Sequence, residues 1–235
     1  MSTATAAAAR GIRDEVAALK RERTISVAVD LFYERGYENT SLDAVAEQMS
    51  VTKPFIYAHF TSKAELLAEI CARGIGSALE ALDSVLVLPG SPTERLREVG
   101  LRFVSAVLNS QRHIAIFSRE EKNLTAADYT RISEMRREFD HKLVKLLDEG
   151  VEAGEFHVPD TRMAALGIGG MISWAYVWYR SHGRLTLEQT AVALTDLILR
   201  MVGVVMPLQN SHAAPRKVRS RPSTSHKGLR PVTVS

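Results

Sequence analysis

Residues 40–63 read TSLDAVAEQMSVTKPFIYAHFTSK, which packs three helix starts and one tight turn into a short span. Thr40 followed by Asp43 fits a capping box, so a helix is expected to begin there. Leu42, Val45, Ala46 and Met49 then recur at i, i+3, i+4 and i+7, which places them on one apolar face. Thr52 suits the cap of a second helix, and Pro54 suits its first turn, where a missing N–H costs nothing. Projected over Lys53–Phe60, Ile56 and Phe60 point inward while Pro54 and Ala58 point outward. Tyr57 flanks the outward face on one edge, Phe55 and His59 flank it on the other, and Lys53 sits at the exposed start. Ser62 is expected to cap a further helix, with Lys63 in its first turn. Small outward residues allow close approach to base edges, and Tyr, His and Lys at the margins can donate to phosphates. The same spacing also fits two amphipathic helices of an ordinary bundle.

The residues on both sides of this stretch bear on that choice. The apolar helix ending in Phe32, then Gly36-Tyr37, Thr40-Ser41, Val51-Thr52-Lys53, Tyr57-x-His59-Phe60 and Ser62-Lys63 follow one another from Thr24 to Leu67. In this order they resemble the DNA-binding domain of the tetracycline-repressor (TetR) family of transcriptional regulators. The resemblance implies that Ser41, Thr52, Lys53, Pro54, Phe55, Tyr57, His59 and Lys63 face operator DNA, with Lys53 and Phe55 reading bases. Ser50 departs from the family, which usually has Gly in this turn. Glycine adopts left-handed backbone angles without steric cost, so a strained turn is expected at Ser50.

The chain has 235 residues, 46% of them hydrophobic, enough for a packed core. From Ser62 onward the periodicity is helical, so the expected fold is all-α: a three-helix helix-turn-helix domain followed by a helical ligand-binding and dimerisation bundle. The expected division is an N-terminal arm over 1–20, a DNA-binding domain over 21–66, a ligand-binding and dimerisation domain over 67–206, and a basic disordered tail over 207–235. Helices are expected from Ser62 to Val87, from near Thr93 to Asn109, from Ala126 to Ala153, from Asp160 to Ser181 and from Thr186 to Val205. A short segment between them carries His113–Arg119.

The formal charge of +3 is uneven: residues 207–235 carry six Lys and Arg and no acid, which leaves −3 for the body. DNA binding must therefore rest on a few placed residues. Arg10, Arg13, Lys20, Arg21 and Arg23 precede the first core helix, interleaved with Asp14, Glu15 and Glu22. They read as a helix extension, with DNA contact limited to the Lys20–Arg23 end. MSTATAAAAR lacks a basic region ahead of an apolar core, so no secretory signal is expected and the cytoplasm is the expected compartment. Met163–Tyr179 is uncharged but contains Gly167, Gly169 and Gly170, and reads as a buried helix; no membrane partner is expected. Cys71, the one cysteine, reads as a small buried apolar residue.

Three glycines within one helix cost about 1 kcal/mol each relative to alanine, which calls for close packing or for space opened beside a ligand cavity. The family pattern implies that the last two long helices of each subunit form a four-helix dimer interface, and Trp174 and Trp178 fall there. The run Trp178-Tyr179-Arg180, Gly183, Leu185-Thr186 and Glu188-Gln189 resembles repressors of fatty-acid or sterol breakdown that respond to acyl-CoA thioesters. An acyl-CoA needs an apolar channel and cations for its phosphates, for which Arg112, Arg119, Arg180 and Arg184 are available; for the likeness to hold, Phe117, Arg119, Trp174, Trp178 and Arg180 are the expected ligand-binding residues, although aromatics placed as the two tryptophans are belong more often to a core or interface. The seven histidines show no HExxH or other metal-ligand pairing and no Gly-rich phosphate loop is present, so neither catalytic residues, metal nor cofactor are expected. The function implied is a homodimeric repressor released from a palindromic operator by a small hydrophobic effector, an acyl-CoA being the class indicated. An activator or ligand-independent DNA-binding protein of the same fold is the alternative, and a helical enzyme the more distant one.

Overall fold

The computed structural model describes residues 3–205, and the described residues form ten α-helices, one 3-10 turn and no strands. The basic tail over 207–235 lies outside them. In order the helices are α1 (Thr3–Arg35), α2 (Leu42–Gln48), α3 (Lys53–Tyr57), α4 (Lys63–Leu86), α5 (Pro92–Asn109), α6 (Gln111–Glu120), α7 (Ala126–Glu152), α8 (Thr161–Ser173), α9 (Ala175–Trp178) and α10 (Leu187–Met201). A 3-10 turn over Glu121–Asn123 leads into α7.

Side-chain caps set most of these starts. Ser62 accepts from the Glu65 amide, Thr125 from the Asp128 amide, and Asp160 from the amides of Arg162 and Met163. Ser91 with Glu94 and Thr186 with Gln189 form reciprocal capping boxes. Each such cap stabilises its helix by roughly 1 kcal/mol. Three expected details change. Ser41, not Thr40, caps α2, its Oγ accepting from the Ala44 amide at 3.1 Å. Thr40 is buried and donates instead to the Gly36 carbonyl at 2.9 Å, closing the turn behind α1. Thr52 occupies the cap position of α3 without a side-chain bond, so Pro54 supplies the local signal there. The helix expected from near Thr93 starts at Pro92, because Ser91 is the cap.

Two apolar clusters share α4. Its first half gives Leu66, Leu67, Ile70 and Cys71 to a core with Ile25, Phe32, Val45, Ile56 and Phe60. Its second half gives Ala78, Leu82 and Val85 to a core built from α5, α7, α8 and α10. Burial pushes the Cys71 thiol up to about 12, consistent with the apolar role. Helix α10 packs tightly on α5 at Gly100, where an added Cβ would meet Thr195 Oγ1 at 2.7 Å.

The segment from Met163 to Tyr179, read as one buried helix, is broken at Trp174 and is buried on one face only, through Ala165, Ile168, Ile172, Ala175 and Tyr179. Helix α8 ends at Ser173, α9 is a single turn, and Tyr179 is extended. Met163 is 65% exposed, Leu166 58%, Trp174 61% and Trp178 47%, while Val192, Leu197 and Met201 of α10 are exposed beside them. Apolar content reports the tendency to leave water, not which chain supplies the cover; a patch of this kind marks an interaction surface.

Candidate nucleic-acid interface and interior cavity

Residues 42–60 fold as two short helices across a turn closed at Ser50. The Ser50 amide donates to the Glu47 carbonyl at 2.9 Å and the Val51 amide to Ala46 at 3.0 Å, a Schellman pattern. That pattern demands a left-handed residue, and Ser50 takes it with φ +56°, alone among the described non-glycine residues. The turn is strained where a glycine was missing. Ile56 and Phe60 are fully buried, so α3 is held by its inner face against α1, α2 and α4.

The outer face of α3 then follows. Lys53, Pro54 and Ala58 are exposed, and Tyr57 is 51% exposed. Phe55 and His59 are half-buried on the other edge, their rings edge-to-face at 5.5 Å, with the Lys20 ammonium 5.4 Å from the Phe55 ring. Thr52 is exposed at the start of the helix. Ser41, Tyr57 and Lys63 line one polar groove with Asp43, Thr61 and Ser62. Lys63 is half-buried: Nζ donates to the Tyr37 carbonyl at 2.9 Å and stands 4.1 Å from the Tyr37 ring. Lys53 Nζ pairs with the Asp43 carboxylate at 2.5 Å, a hydrogen bond that holds the ammonium above its ordinary pKa. Asp43, read from sequence as a capping partner, is thus tied to α3. Lys20 had been assigned to the arm; no spacing rule links it to Phe55, thirty-five positions later.

Helix α6 joins this unit to the rest of the chain. Arg112 pairs with Asp30, Arg119 donates to the Tyr33 carbonyl at 3.2 Å, and the Tyr37 amide donates to Glu120 at 3.4 Å. Arg21 and Arg73 bind Glu69 at 3.1 and 3.3 Å, and Arg73 also holds Glu22 at 2.6 Å, fastening α1 to α4. Burial alone would raise the Glu69 carboxyl, but the two guanidinium groups outweigh it and hold it below its ordinary value. His113 of α6 is pushed down by burial and by Arg73, and its Nδ1 has no hydrogen-bond partner.

A cavity of about 320 Å³ lies between α4, α5, α7 and α8. Gly74, Ile75, Ala78, Phe103, Val107 and Phe139 give it an apolar wall, Gly169 and Gly170 leave space on α8, and Ile114 of α6 also lines it. Its polar groups are Arg136, Asp140 and Ser173. Burial raises the Asp140 carboxyl against the opposing pull of Arg136. The five residues implied by the weaker likeness do not line this cavity. Phe117 is buried in the core beside α1, with the Arg136 guanidinium 4.1 Å from its ring. Arg119 is engaged with α1, Trp174 is on the outer face, and Trp178 and Arg180 share a shallow hollow with Arg184. Gly169 and Gly170, which the sequence offers as space beside a ligand cavity, do line it, whereas the rest of its wall comes from five helices and no single segment shows it.

Among the described residues no group of three His, Cys, Asp or Glu could hold a metal ion, and no helix is long and apolar enough to cross a membrane. The family model described as "Bacterial regulatory proteins, tetR family" matches residues 25–70. The model described as "Tetracyclin repressor-like, C-terminal domain" matches residues 89–202. The chain is similar to the HTH-type transcriptional repressor KstR2 of Rhodococcus jostii, at 27% identity over 183 residues, 77% of this chain and 89% of that protein. Among known structures it resembles a TetR/AcrR family transcriptional regulator from Thermobifida fusca, with 32% identity and a TM-score of 0.63 over 76% of this chain and 96% of that one. It also resembles AibR, crystallised with isovaleryl coenzyme A and operator DNA, with 27% identity and a TM-score of 0.66 over 76% and 97% of the two chains.

Proposed function

The chain belongs to the TetR family of transcriptional regulators, and from that premise we propose that it is a homodimeric cytoplasmic repressor whose hold on a palindromic operator is released by an acyl-CoA thioester. The observation that carries the effector reading is the apolar cavity between α4 and α8, with Arg136, Asp140 and Ser173 as its polar groups. An acyl chain fits such a wall, and a cationic and a hydroxyl group suit the polar part of a thioester. AibR, which binds isovaleryl coenzyme A and operator DNA, supports this class.

On DNA, Ser41, Thr52, Tyr57, His59 and Lys63 position α3 through phosphates, while Lys53, Pro54 and Phe55 meet base edges in the major groove. Two copies pair through the bare apolar face of α8 and α10 and present their α3 helices to half-sites about 34 Å apart. Helix α4 carries the switch. Its first half belongs to the DNA-facing core and its second half to the cavity wall, so effector that displaces one end alters the spacing of the α3 pair. Release by the effector then implies reciprocal weakening of effector binding by DNA.

The test is anisotropy of a labelled fragment carrying the palindrome upstream of the protein's own gene, titrated with isovaleryl-CoA, octanoyl-CoA, palmitoyl-CoA and free coenzyme A. Release by at least one thioester, and none by coenzyme A alone, is expected. Stable binding in the presence of all four would remove the acyl-CoA assignment and leave the DNA-binding role standing. An enzyme reading would need turnover that survives Lys53→Ala with Tyr57→Phe.

A further inference from the structure

The interior cavity is not closed toward α8. Asp140 and Leu166 line both that cavity and a second hollow of about 520 Å³ between α7 and α8, so the two spaces meet at this pair. On α7 the second hollow takes Asp140, Val144 and Asp148, each one helical turn from the next, with His141 beside them. On α8 it takes Thr161, Arg162 and Ala165 before Leu166. Thr161 Oγ1 donates to the Asp148 carboxylate at 2.7 Å and fixes the outer end, where Arg162 is exposed. A single passage thus runs from the wall of Phe103 and Phe139, past Asp140, to the surface at Arg162.

The passage changes character at Asp140. Inside, its wall is mostly apolar; outside, hydrogen-bonding side chains stand over Val144 and Ala165. Asp140 is half-buried and, among the described residues, has neither a hydrogen bond nor an ion pair. Burial raises its carboxyl, as expected of a group short of partners. An apolar chain seated in the cavity strips more water from this carboxyl, so a ligand that binds there must bring a donor. The outer hollow sets two acids, Asp140 and Asp148, against Arg162 and His141. That balance does not draw an anion along its length; it suits an uncharged arm carrying N–H and C=O groups. Cations gather past its end, at Arg162 and at Arg137, which lies one turn before His141 on the same face of α7. Both are exposed, and neither has an ion pair among the described residues.

We infer that the hollow between α7 and α8 is the binding site for the amide-bearing arm of the effector thioester. The acyl chain lies in the cavity, the thioester passes Asp140, the nearest amide N–H of the arm donates to the Asp140 carboxylate, and the terminal phosphates reach Arg162 and Arg137. The order follows from the chemistry of coenzyme A, in which an uncharged chain of amides and a hydroxyl separates the sulfur from the phosphates. The site rests on the acyl-CoA reading above and adds to it the route and orientation of the ligand. It also moves the phosphate contact away from Arg112 and Arg119, which are engaged with α1.

Calorimetry on the full, DNA-free protein compares the methyl, pantetheine and coenzyme A thioesters of one acyl group. That group is whichever of isovaleryl, octanoyl and palmitoyl binds best as its coenzyme A thioester. Wild type is expected to bind the pantetheine thioester about tenfold more tightly than the methyl one, the size expected of one hydrogen bond to a charged group. The coenzyme A thioester should bind about tenfold more tightly again through its phosphates. Asp140→Ala should lose the first gain and bind the methyl thioester as wild type does. Arg162→Gln, at an exposed side chain, should keep the first gain, lose most of the second and flatten the salt dependence of coenzyme A thioester binding. Equal wild-type affinity for the methyl and pantetheine thioesters overturns the proposal, as does an Asp140→Ala loss shared by all three ligands. Should Asp140→Ala unfold, Arg162→Gln decides: a loss on the coenzyme A thioester alone upholds the route, and no loss overturns it. Failure of every coenzyme A thioester to bind wild type would instead strike the acyl-CoA reading itself.

Discussion

The helix-turn-helix end and the cavity end are made alike, from capped amphipathic helices, yet they gather their residues in opposite ways. At the helix-turn-helix end the eight residues picked out by the sequence lie within 23 positions, from Ser41 to Lys63, and Ser41, Tyr57 and Lys63 share one groove because α3 and its turn are local structure. At the cavity end Gly74, Phe103, Ile114, Phe139 and Gly169 meet only because five helices pack around a gap. Local periodicity is enough to lay out the first surface. The second is a property of the assembly, and no single segment carries its outline.

The comparison breaks most readily at the core beneath α3. Phe60 is fully buried, and Phe60→Ala should cost about 3 to 5 kcal/mol, read by denaturant unfolding, with operator binding lost alongside. A cost below 1 kcal/mol would mean that α3 is not held by its inner face. Next in size, Lys53→Ala should cost about 1 to 3 kcal/mol on the cognate operator and relax base preference at one position per half-site. Tyr57→Phe should weaken cognate and scrambled sites alike. Matching losses for both variants on both DNAs would erase the division between base-reading and phosphate-positioning residues.

Two glycine positions sharpen the contrast. Ser50→Gly relieves a φ of +56° and should stabilise the protein by about 1 kcal/mol without changing operator preference, as thermal unfolding and anisotropy would report. Gly169→Ala meets no atom within 4 Å, so helix propensity should also give about 1 kcal/mol. Its methyl group enters the cavity, however, and the response to acyl-CoA should fall while DNA affinity holds. An unchanged effector response would move the ligand elsewhere.

The smallest effect concerns the joint between the two ends. Burial, then Arg73, holds the His113 pKa below its ordinary value, so the folded protein keeps the imidazole neutral where the unfolded chain protonates it. The stability tied to this neutrality is present above the unfolded value of about 6.5 and is lost as pH falls from there toward the folded value. Denaturant midpoints at pH 7.5 and 5.5 should therefore differ more for wild type than for His113→Gln. Equal differences would mean that His113 titrates freely.

Much of the fold was legible because helix starts are chemical events between near neighbours. Ser62, Asp160 and Thr186 all cap helices through amides two or three residues on. The errors arose where a longer-range partner took the group. Thr40 was read as a cap, but the Gly36 carbonyl behind α1 holds its hydroxyl. Asp43 was read as the reciprocal cap, and it pairs with Lys53 across the turn. Within the DNA-facing surface, the outward set of α3 follows from spacing, whereas the half-burial of Lys63 over Tyr37 does not. The segment from Met163 to Tyr179 reads as buried because it is apolar, and its outer face, with Met163, Leu166, Trp174 and Trp178, is exposed.

By itself the amino-acid sequence determined the all-helical character, the caps at Ser62 and Asp160, the strained turn at Ser50 and the outward face of α3, since each depends on residues a few positions apart. Only the tertiary structure decided that Lys20 stands over Phe55, that α6 fastens α1 to the body, and that a cavity opens between α4 and α8. Those features depend on where helices distant in the chain come to rest, which is set by the packing of both cores together and not by any periodicity along one helix.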